Sequence, residues 1–246
     1  MEITALDLLL VFLPALGGGI IQTTTGFGFG LFVMMFYPLF LPVTEASALS
    51  STMSLLLALT LTIRLRRHLR LKELLFPLGV DLAFGLASAA AAAYIDLSML
   101  KAVLGIFLVL MALYLIFLSG RFAVRPNKKS AFVCCALGGL SSGFFGIGGP
   151  PILPYFLAAY GNEKLTYIVS LQLVFAVTGM SNTVVRIVNG IYTLRVLLLA
   201  IPGIAAMFIG QAIGLRIVDK INARQLKKIV YVVLGLSGIL TFATSI

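Results

Sequence analysis

The chain has little charge and few of the side chains on which most catalytic and metal sites depend. Only 11% of its 246 residues are charged, it has one histidine, and it has no tryptophan. A soluble domain usually has about 25% charged residues. The two cysteines, Cys134 and Cys135, are adjacent in an apolar stretch. Because neighbouring cysteines rarely form a disulfide and no metal-binding spacing exists, we predict that both are packing residues and that the chain holds no metal.

Apolar side chains are what the sequence has in excess, at 61% of residues and a mean hydropathy of +1.12. Long apolar runs recur at the length that crosses a bilayer, about 20 residues each. Two acids between Met1 and Asp7 argue against a cleavable signal peptide. The net charge of +10 could indicate nucleic-acid binding, but the basic residues lie in short segments between apolar runs, where they report membrane topology. We therefore predict an all-α integral membrane protein with no nucleic-acid partner.

The apolar runs divide the chain into two similar halves. Uninterrupted spans are predicted at about 45–63, 73–95, 98–118, 165–185, 196–216 and 227–246. Broken segments precede each group of three spans, at about 3–41 and 131–161. We predict a first membrane repeat at 1–120, a basic cytoplasmic linker at 121–130 and a second membrane repeat at 131–246.

Glycine-rich breaks occur at matching places in the two broken segments. A shift of 120 positions superposes Gly18, Gly19, Gly26 and Gly28 on Gly138, Gly139, Gly146 and Gly148. Irregular backbone at membrane depth is tolerated where protein buries it or where it lines a wet cavity. Paired interrupted segments indicate a transporter binding site near the midplane, whereas close helix packing by small residues is the alternative. Pro150 and Pro151 fit the first turn of a returning half-helix.

Loop charge distinguishes two topologies, because Lys and Arg near span ends favour the cytoplasm. If each broken segment crosses the membrane once, the halves are parallel, with eleven basic residues inside and seven outside. If each segment is a re-entrant hairpin, the halves are inverted, with fifteen inside and only Lys101, Arg186 and Arg195 outside. The count favours inverted repeats, in which the two arms of the second hairpin, 131–142 and 151–160, each measure roughly 15–18 Å.

At these residues the chain resembles the TauE/SafE family of membrane permeases, the sulfite exporter and toluene-sulfonate-uptake group. The resemblance rests on GFGFG at 26–30, GIGGPPILP at 146–154 and the two-fold repeat. It implies a location in the cell membrane, which is the inner membrane in a Gram-negative bacterium. It also implies transport of sulfite or of sulfur-containing organic anions such as sulfonates or thiosulfate. The family's usual GxGGG is replaced by GFGFG here, so Phe29 makes the first tip bulkier.

The candidate substrate-binding residues are glycines and small polar side chains at the tips and on the span that follows each tip. They are Gln22, Thr23, Thr24, Thr25, Gly28, Gly30, Ser50, Ser51, Thr52, Ser141, Ser142, Gly146, Gly148, Gly149, Ser170 and Gln172. Hydroxyls and amides can donate hydrogen bonds to anion oxygens without carrying charge. The alternative for these polar residues is hydrogen bonding to helix carbonyls or packing between helices. Asn182 is a weaker candidate.

Two ionisable residues carry separate hypotheses. Asp81 is the acid that lies well inside a predicted span, so it is either a proton-coupling residue or the partner of a polar group on a neighbouring helix. Arg186 is either an anion contact at the outer mouth or a side chain that snorkels to the interface.

The sequence thus predicts a permease that moves a small anion by alternating access through two inverted repeats. Helix N-termini, hydroxyls and amides at the tips, with no fixed cation, would favour sulfite or a monovalent sulfonate over phosphate. An anion channel with the same pocket is the alternative. The sequence lacks the catalytic residues that an intramembrane enzyme would need, because no histidine lies within a span and no serine or cysteine has an evident base. No cofactor is expected.

Overall fold

The computed structural model describes residues 4–114, 124–160 and 163–217, and within these ranges every regular element is a helix. The described part of the first half contains five α-helices: α1 (Ala5–Thr25), α2 (Phe29–Val33), α3 (Val43–Leu65), α4 (Leu71–Ala91) and α5 (Leu97–Leu113). The second half contains α6 (Lys128–Phe145), α7 (Gly149–Tyr160), α8 (Lys164–Val188) and α9 (Leu194–Ile217). Short 3₁₀ turns lie at Tyr37–Leu39, Arg66–His68 and Ala92–Tyr94. The predicted span at 227–246 and part of the linker lie outside the described residues.

Five stretches of helix in the described ranges are long and apolar enough to cross a membrane. They are Ala5–Thr24, Val43–His68, Leu71–Tyr94, Leu165–Val188 and Leu194–Arg216. Shorter apolar helical stretches lie at Phe29–Leu39 and Leu97–Leu113. The prediction of an all-α membrane protein is confirmed.

The two glycine breaks end one helix and allow the next to begin. Gly26 ends α1 with a φ of 84°, and Gly146 ends α6 with a φ of 69°. A φ in this left-handed region is accessible to glycine at little cost, which explains glycine at both positions. Helix α7 begins at Gly149, so Pro150 and Pro151 occupy its first turn as predicted.

The length predicted for the first arm of the second hairpin, 131–142, is wrong, because the helix there is longer. Helix α6 has 18 residues and α7 has 12, which correspond to about 27 Å and about 18 Å at 1.5 Å per residue. In the first half the two arms differ more in length, because α1 has 21 residues and α2 only five. Each broken segment therefore consists of a long first helix, a glycine turn and a shorter second helix.

The long first helix of each half packs against a helix of the other half. Helix α1 packs mainly on α9 and α6 mainly on α4, while α3 of the first half packs on α8 of the second. Glycines allow these backbones to approach closely. A Cβ atom at Gly19 would lie 2.5 Å from the carbonyl oxygen of Met207, and one at Gly139 would meet the carbonyl oxygen of Asp81. Close packing by small residues is thus the role of these two arm glycines.

Helices α3 and α8 run in opposite directions. Gly179 lies against Leu55, whereas Arg186, further along α8, contacts Ser51, earlier on α3. Ion pairs at the two ends agree with this direction. Arg70, between α3 and α4, pairs with Glu163, just before α8, at 2.7 Å, and Arg195, at the start of α9, pairs with Glu45 at the start of α3, at 3.5 Å.

Candidate functional site

The tips of the two broken segments meet inside the protein. A Cβ atom at Gly30 would collide with the carbonyl oxygen of Gly146, and one at Gly149 would lie 3.4 Å from the Cβ of Phe27. Between the tips is a small cavity of about 20 Å³. Its lining comprises Gln22, Gly28, Gly30, Leu31, Ser54, Gly146, Ile147, Gly148, Gly149, Pro150 and Phe175.

Two buried amide side chains hold the first tip in place. Gln172 on α8 donates from Nε2 to the carbonyl oxygen of Gly26 at 3.0 Å. Gln22, which is 2% exposed, donates from Nε2 to Oε1 of Gln172 at 3.5 Å and accepts from the N–H of Phe29 at 3.2 Å. These bonds join the end of α1, the start of α2 and α8.

Hydroxyl and amide groups from α3 and α8 hold the second tip. Ser50 donates from Oγ to the carbonyl oxygen of Gly146 at 3.3 Å. Asn182 donates from Nδ2 to Oγ of Ser142 at 3.1 Å. The span that follows each tip therefore helps to fix the tip of the other half, and α8 also holds the second tip of its own half.

Arg186 is buried behind the second tip, so its predicted position at the outer mouth is wrong. The side chain is 1% exposed. Its Nη1 donates to Oγ of Ser51 at 2.5 Å, and its Nη2 donates to the carbonyl oxygens of Gly143 at 2.6 Å and Ser142 at 3.3 Å. Carbonyls in the last turn of a helix lack intrahelical donors, and the negative end of the helix dipole favours a cation. These partners explain how a cation is accommodated inside the protein.

The expectation that no fixed cation lies near the tips is also wrong. Oγ of Ser51, which accepts from Arg186, lies 2.8 Å from the position that a Cβ atom would take at the cavity-lining Gly146. The side chain of Ser51 thus separates the guanidinium from the cavity wall at Gly146. It adds a full positive charge to a site that the sequence predicted to be formed by neutral groups alone.

Helix ends with opposite partial charges meet at the cavity. The partially negative C-termini of α1 and α6 lie there, as do the partially positive N-termini of α2 and α7. The carbonyl ends are capped, α6 by Arg186 and α1 by Gln172. Gly148, Gly149 and Pro150, at the amide end of α7, line the cavity, and Pro150 contributes no N–H. Within the part of the chain that the structure describes, no carboxylate lines the cavity. The resulting electrostatic balance favours an anion.

Six of the predicted site residues line the cavity: Gln22, Gly28, Gly30, Gly146, Gly148 and Gly149. Four others, Ser50, Ser51, Ser142 and Gln172, hold the tips or Arg186 from behind, through the bonds described above. The sequence did not predict the other five lining residues as part of the site: Leu31, Ser54, Ile147, Pro150 and Phe175. Ser54 could have been found, because it lies one helical turn after Ser50, whereas nothing distinguishes Phe175 from other aromatic residues in an apolar span.

The remaining candidates lie outside the cavity lining. Thr23 and Thr24 donate to carbonyl oxygens of their own helix, those of Gly19 and Ile20, at 2.7 and 2.9 Å. Ser141 donates to the carbonyl oxygen of Gly138. Further candidates pair elsewhere or not at all: Thr52 bonds with Ala48 and Tyr192, and the buried hydroxyl of Ser170 has no partner. The side chain of Thr25 is outside the described part of the structure.

Asp81 lies on α4, away from the cavity lining. It is 2% exposed and accepts a hydrogen bond at Oδ2 from Oγ1 of Thr178 on α8, at 2.6 Å. The polar partner on a neighbouring helix is therefore present, while the proton-coupling role stays a prediction.

Comparison with known proteins identifies the family. The family model for the sulfite exporter TauE/SafE matches residues 11–241, which is nearly the whole chain. No curated protein and no solved structure matches it. The resemblance found in the two glycine motifs is confirmed. The chain belongs to the sulfite exporter TauE/SafE family, and it is an integral membrane protein of a family that transports sulfur-containing anions.

Proposed function

We propose that this protein is a secondary transporter for sulfite or a small monovalent sulfonate, which binds in the cavity between the two glycine tips. The observation that carries the proposal is the cavity itself. Both halves contribute glycine backbone to it, Gln22 and Ser54 add polar side chains, and the Arg186 guanidinium lies behind its wall.

The charge near the cavity suits a compact anion with a single negative charge. Arg186 supplies one cation, and the other polar groups around the cavity are neutral. An anion with more charge loses more hydration on entering, and a single buried cation cannot compensate for that loss. We therefore expect monovalent hydrogen sulfite, or a small sulfonate, to bind better than divalent hydrogen phosphate.

We further propose that the two halves are inverted repeats and that transport proceeds by alternating access around this cavity. The opposite directions of the equivalent helices α3 and α8 support this arrangement. So does the Arg70–Glu163 ion pair, because the parallel topology would place the segments on either side of it on opposite membrane faces. The burial of Arg186 removes it from the set of loop charges that the inverted topology left unexplained.

The inverted topology predicts which loops an impermeant thiol reagent can reach. In a background without Cys134 and Cys135, cysteine at Arg67 should resist reagent added outside intact cells, and cysteine at the exposed Leu194 should react. Arg224, which lies outside the described residues, should resist like Arg67. Labelling in permeabilised cells provides the control that every site is reactive. Protection of Leu194 together with labelling at Arg224 would establish the parallel topology instead.

Reconstituted vesicles test the function directly. We expect uptake of labelled sulfite to saturate and to show counterflow when vesicles are loaded with unlabelled sulfite. Small sulfonates should compete, while amines and sugars should not. Saturation without counterflow would indicate the channel alternative, and competition only by organic cations would overturn the proposal.

Gly148 offers a test of the cavity with little effect on the fold. A Cβ at Gly148 would have ordinary contacts, 3.4 Å from the Phe175 ring and 3.5 Å from the Cβ of Ser142. We expect Gly148→Ala to transport nearly normally. Gly148→Val should weaken sulfite binding by about tenfold or more, equivalent to about 1.4 kcal/mol, because its extra methyl groups occupy the cavity.

A matched control is available on α4, where Gly79 has no atom within 4 Å of its Cβ position. Gly79→Val should leave transport unchanged. Thermal unfolding in detergent verifies that each variant is folded. Equal sulfite affinity in Gly148→Val and the parent protein would remove the tip cavity from the transport site.

A further inference from the structure

A second buried polar cluster surrounds Asp81, apart from the tip cavity. Oδ2 of Asp81 accepts the Thr178 hydroxyl, but Oδ1 has no hydrogen-bond partner although it is buried. Within the described ranges, no ion pair involves this carboxyl group. An isolated carboxylate with one donor is costly in a membrane interior, and such residues are typical of proton pathways.

Among the described residues, the helices packed on α4 bring no cation to this carboxyl. From α6, Gly138 places its Cβ position 2.9 Å from Oδ1, and the buried titratable group on the same helix is the Cys135 thiol. From α8 the facing group is the Thr178 hydroxyl. In the 3₁₀ turn that follows α4, the titratable residue is Tyr94, which is 87% exposed. A proton is small enough for the crowded space around Oδ1.

One face of α8 connects this cluster with the substrate cavity. Thr178, Asn182 and Arg186 are spaced by four residues, so they lie along the same side of the helix. Thr178 contacts Asp81, Asn182 contacts Ser142, and Arg186 contacts Ser142 and Gly143 behind the second tip. A change of charge at Asp81 therefore acts on the same helix that fixes the tip.

We propose that the Asp81 carboxyl is the proton-binding site that couples anion movement to the proton gradient. The inference rests on the proposed transport function. The carboxylate takes up one proton at Oδ1 to form the carboxylic acid, while Oδ2 continues to accept from Thr178. Movement of one monovalent anion together with one proton carries no net charge, which makes the translocated complex easier to move through the membrane interior.

The test compares two transport modes in reconstituted vesicles. Counterflow requires substrate binding but no net driving force, whereas uphill accumulation requires coupling. With an imposed pH gradient, the parent protein should accumulate labelled sulfite above the level without a gradient. We expect Asp81→Asn to retain counterflow and to lose this gradient-driven accumulation entirely. Asp96→Asn is the matched control, since asparagine also caps a helix N-terminus and Asp96 is exposed.

Thr178→Val provides a second variant with the carboxyl group intact. It removes the one donor to Asp81, so it should shift the pH profile of counterflow, while Ser181→Ala on the same helix should not. Infrared spectroscopy gives a readout independent of substrate, because a protonated-carboxyl band that titrates in the parent protein should be missing from Asp81→Asn. Gradient-driven accumulation in Asp81→Asn, an unshifted profile in Thr178→Val, or dependence on Na⁺ alone would overturn the inference. Absence of counterflow in the parent protein would reject the transport proposal, and the infrared band would still decide whether Asp81 binds a proton.

Discussion

Replacing Gly30 by alanine should reduce sulfite transport by about tenfold or more, equivalent to about 1.4 kcal/mol. Gly30 lies in α2, so its backbone is compatible with alanine. A Cβ atom there, however, would clash with the carbonyl oxygen of Gly146 and would lie 3.3 Å from Oγ of Ser50. Because the obstacle is backbone at the opposite tip, the two tips must separate to accommodate one methyl group. We expect overpacking to lower the free energy of unfolding by about 1–3 kcal/mol.

Transport and thermal unfolding should be measured on the same preparation of Gly30→Ala. Gly149→Ala is the control, because a Cβ there meets the Phe27 side chain at an ordinary 3.4 Å. Both substitutions add one methyl group near the same cavity, but Gly149→Ala leaves the tip contact intact and should transport nearly normally. Parent-level transport by Gly30→Ala would show that close contact between the tips is dispensable.

The positions of the tips could be predicted from the sequence because each tip depends on a local glycine turn, and the same turn occurs in both halves. Gly26 and Gly146 are 120 positions apart, and each ends a helix with a positive φ. Only glycine adopts that backbone conformation at little cost, so a matched pair of such residues indicates a matched pair of turns. The family resemblance rested on the same motifs.

The lengths of the arms could not be predicted, because packing outweighs the low helix propensity of glycine. Three consecutive glycines at 17–19 fall within the 21-residue helix α1. Glycine at position 19 permits close contact with α9, and this contact stabilises the helix through the glycine run. Sequence alone shows the glycines but not the helix that packs on them.

The hydrogen-bond partners of the polar side chains could likewise be predicted where they are local in sequence, but not where they are distant. Thr23 and Thr24 bond to carbonyls within four residues, so the local alternative stated from the sequence accounts for them. Arg186 instead contacts Ser51, 135 positions away, and Gly143, 43 positions away. Its place near the end of a span indicated a membrane interface, and only the packing of α3, α6 and α8 shows that it is internal.

Substituting Arg186 by methionine should remove most of the affinity for the anion. Methionine is similar in length and apolar, so the change deletes the cation with little change in volume. A unit charge roughly 7 Å from a bound anion contributes about 2 kcal/mol at an effective dielectric constant of about 20. That energy corresponds to about a 30-fold loss of affinity. Stabilisation of the purified protein by added sulfite against thermal unfolding measures the affinity, because a ligand raises the apparent stability by mass action.

Two further variants separate charge from hydrogen bonding and from a general loss of basic residues. Arg186→Lys keeps the cation but lacks the planar fork that reaches Ser51 and Gly143 together, so it should retain part of the affinity. Arg66 occupies the equivalent position of the first half, 120 residues earlier, and is exposed in a 3₁₀ turn. Arg66→Met should therefore bind sulfite like the parent protein. If Arg186→Met also retains full affinity while folded, the positive charge behind the second tip does not contribute to anion binding, and the preference must come from the amide groups of the tips.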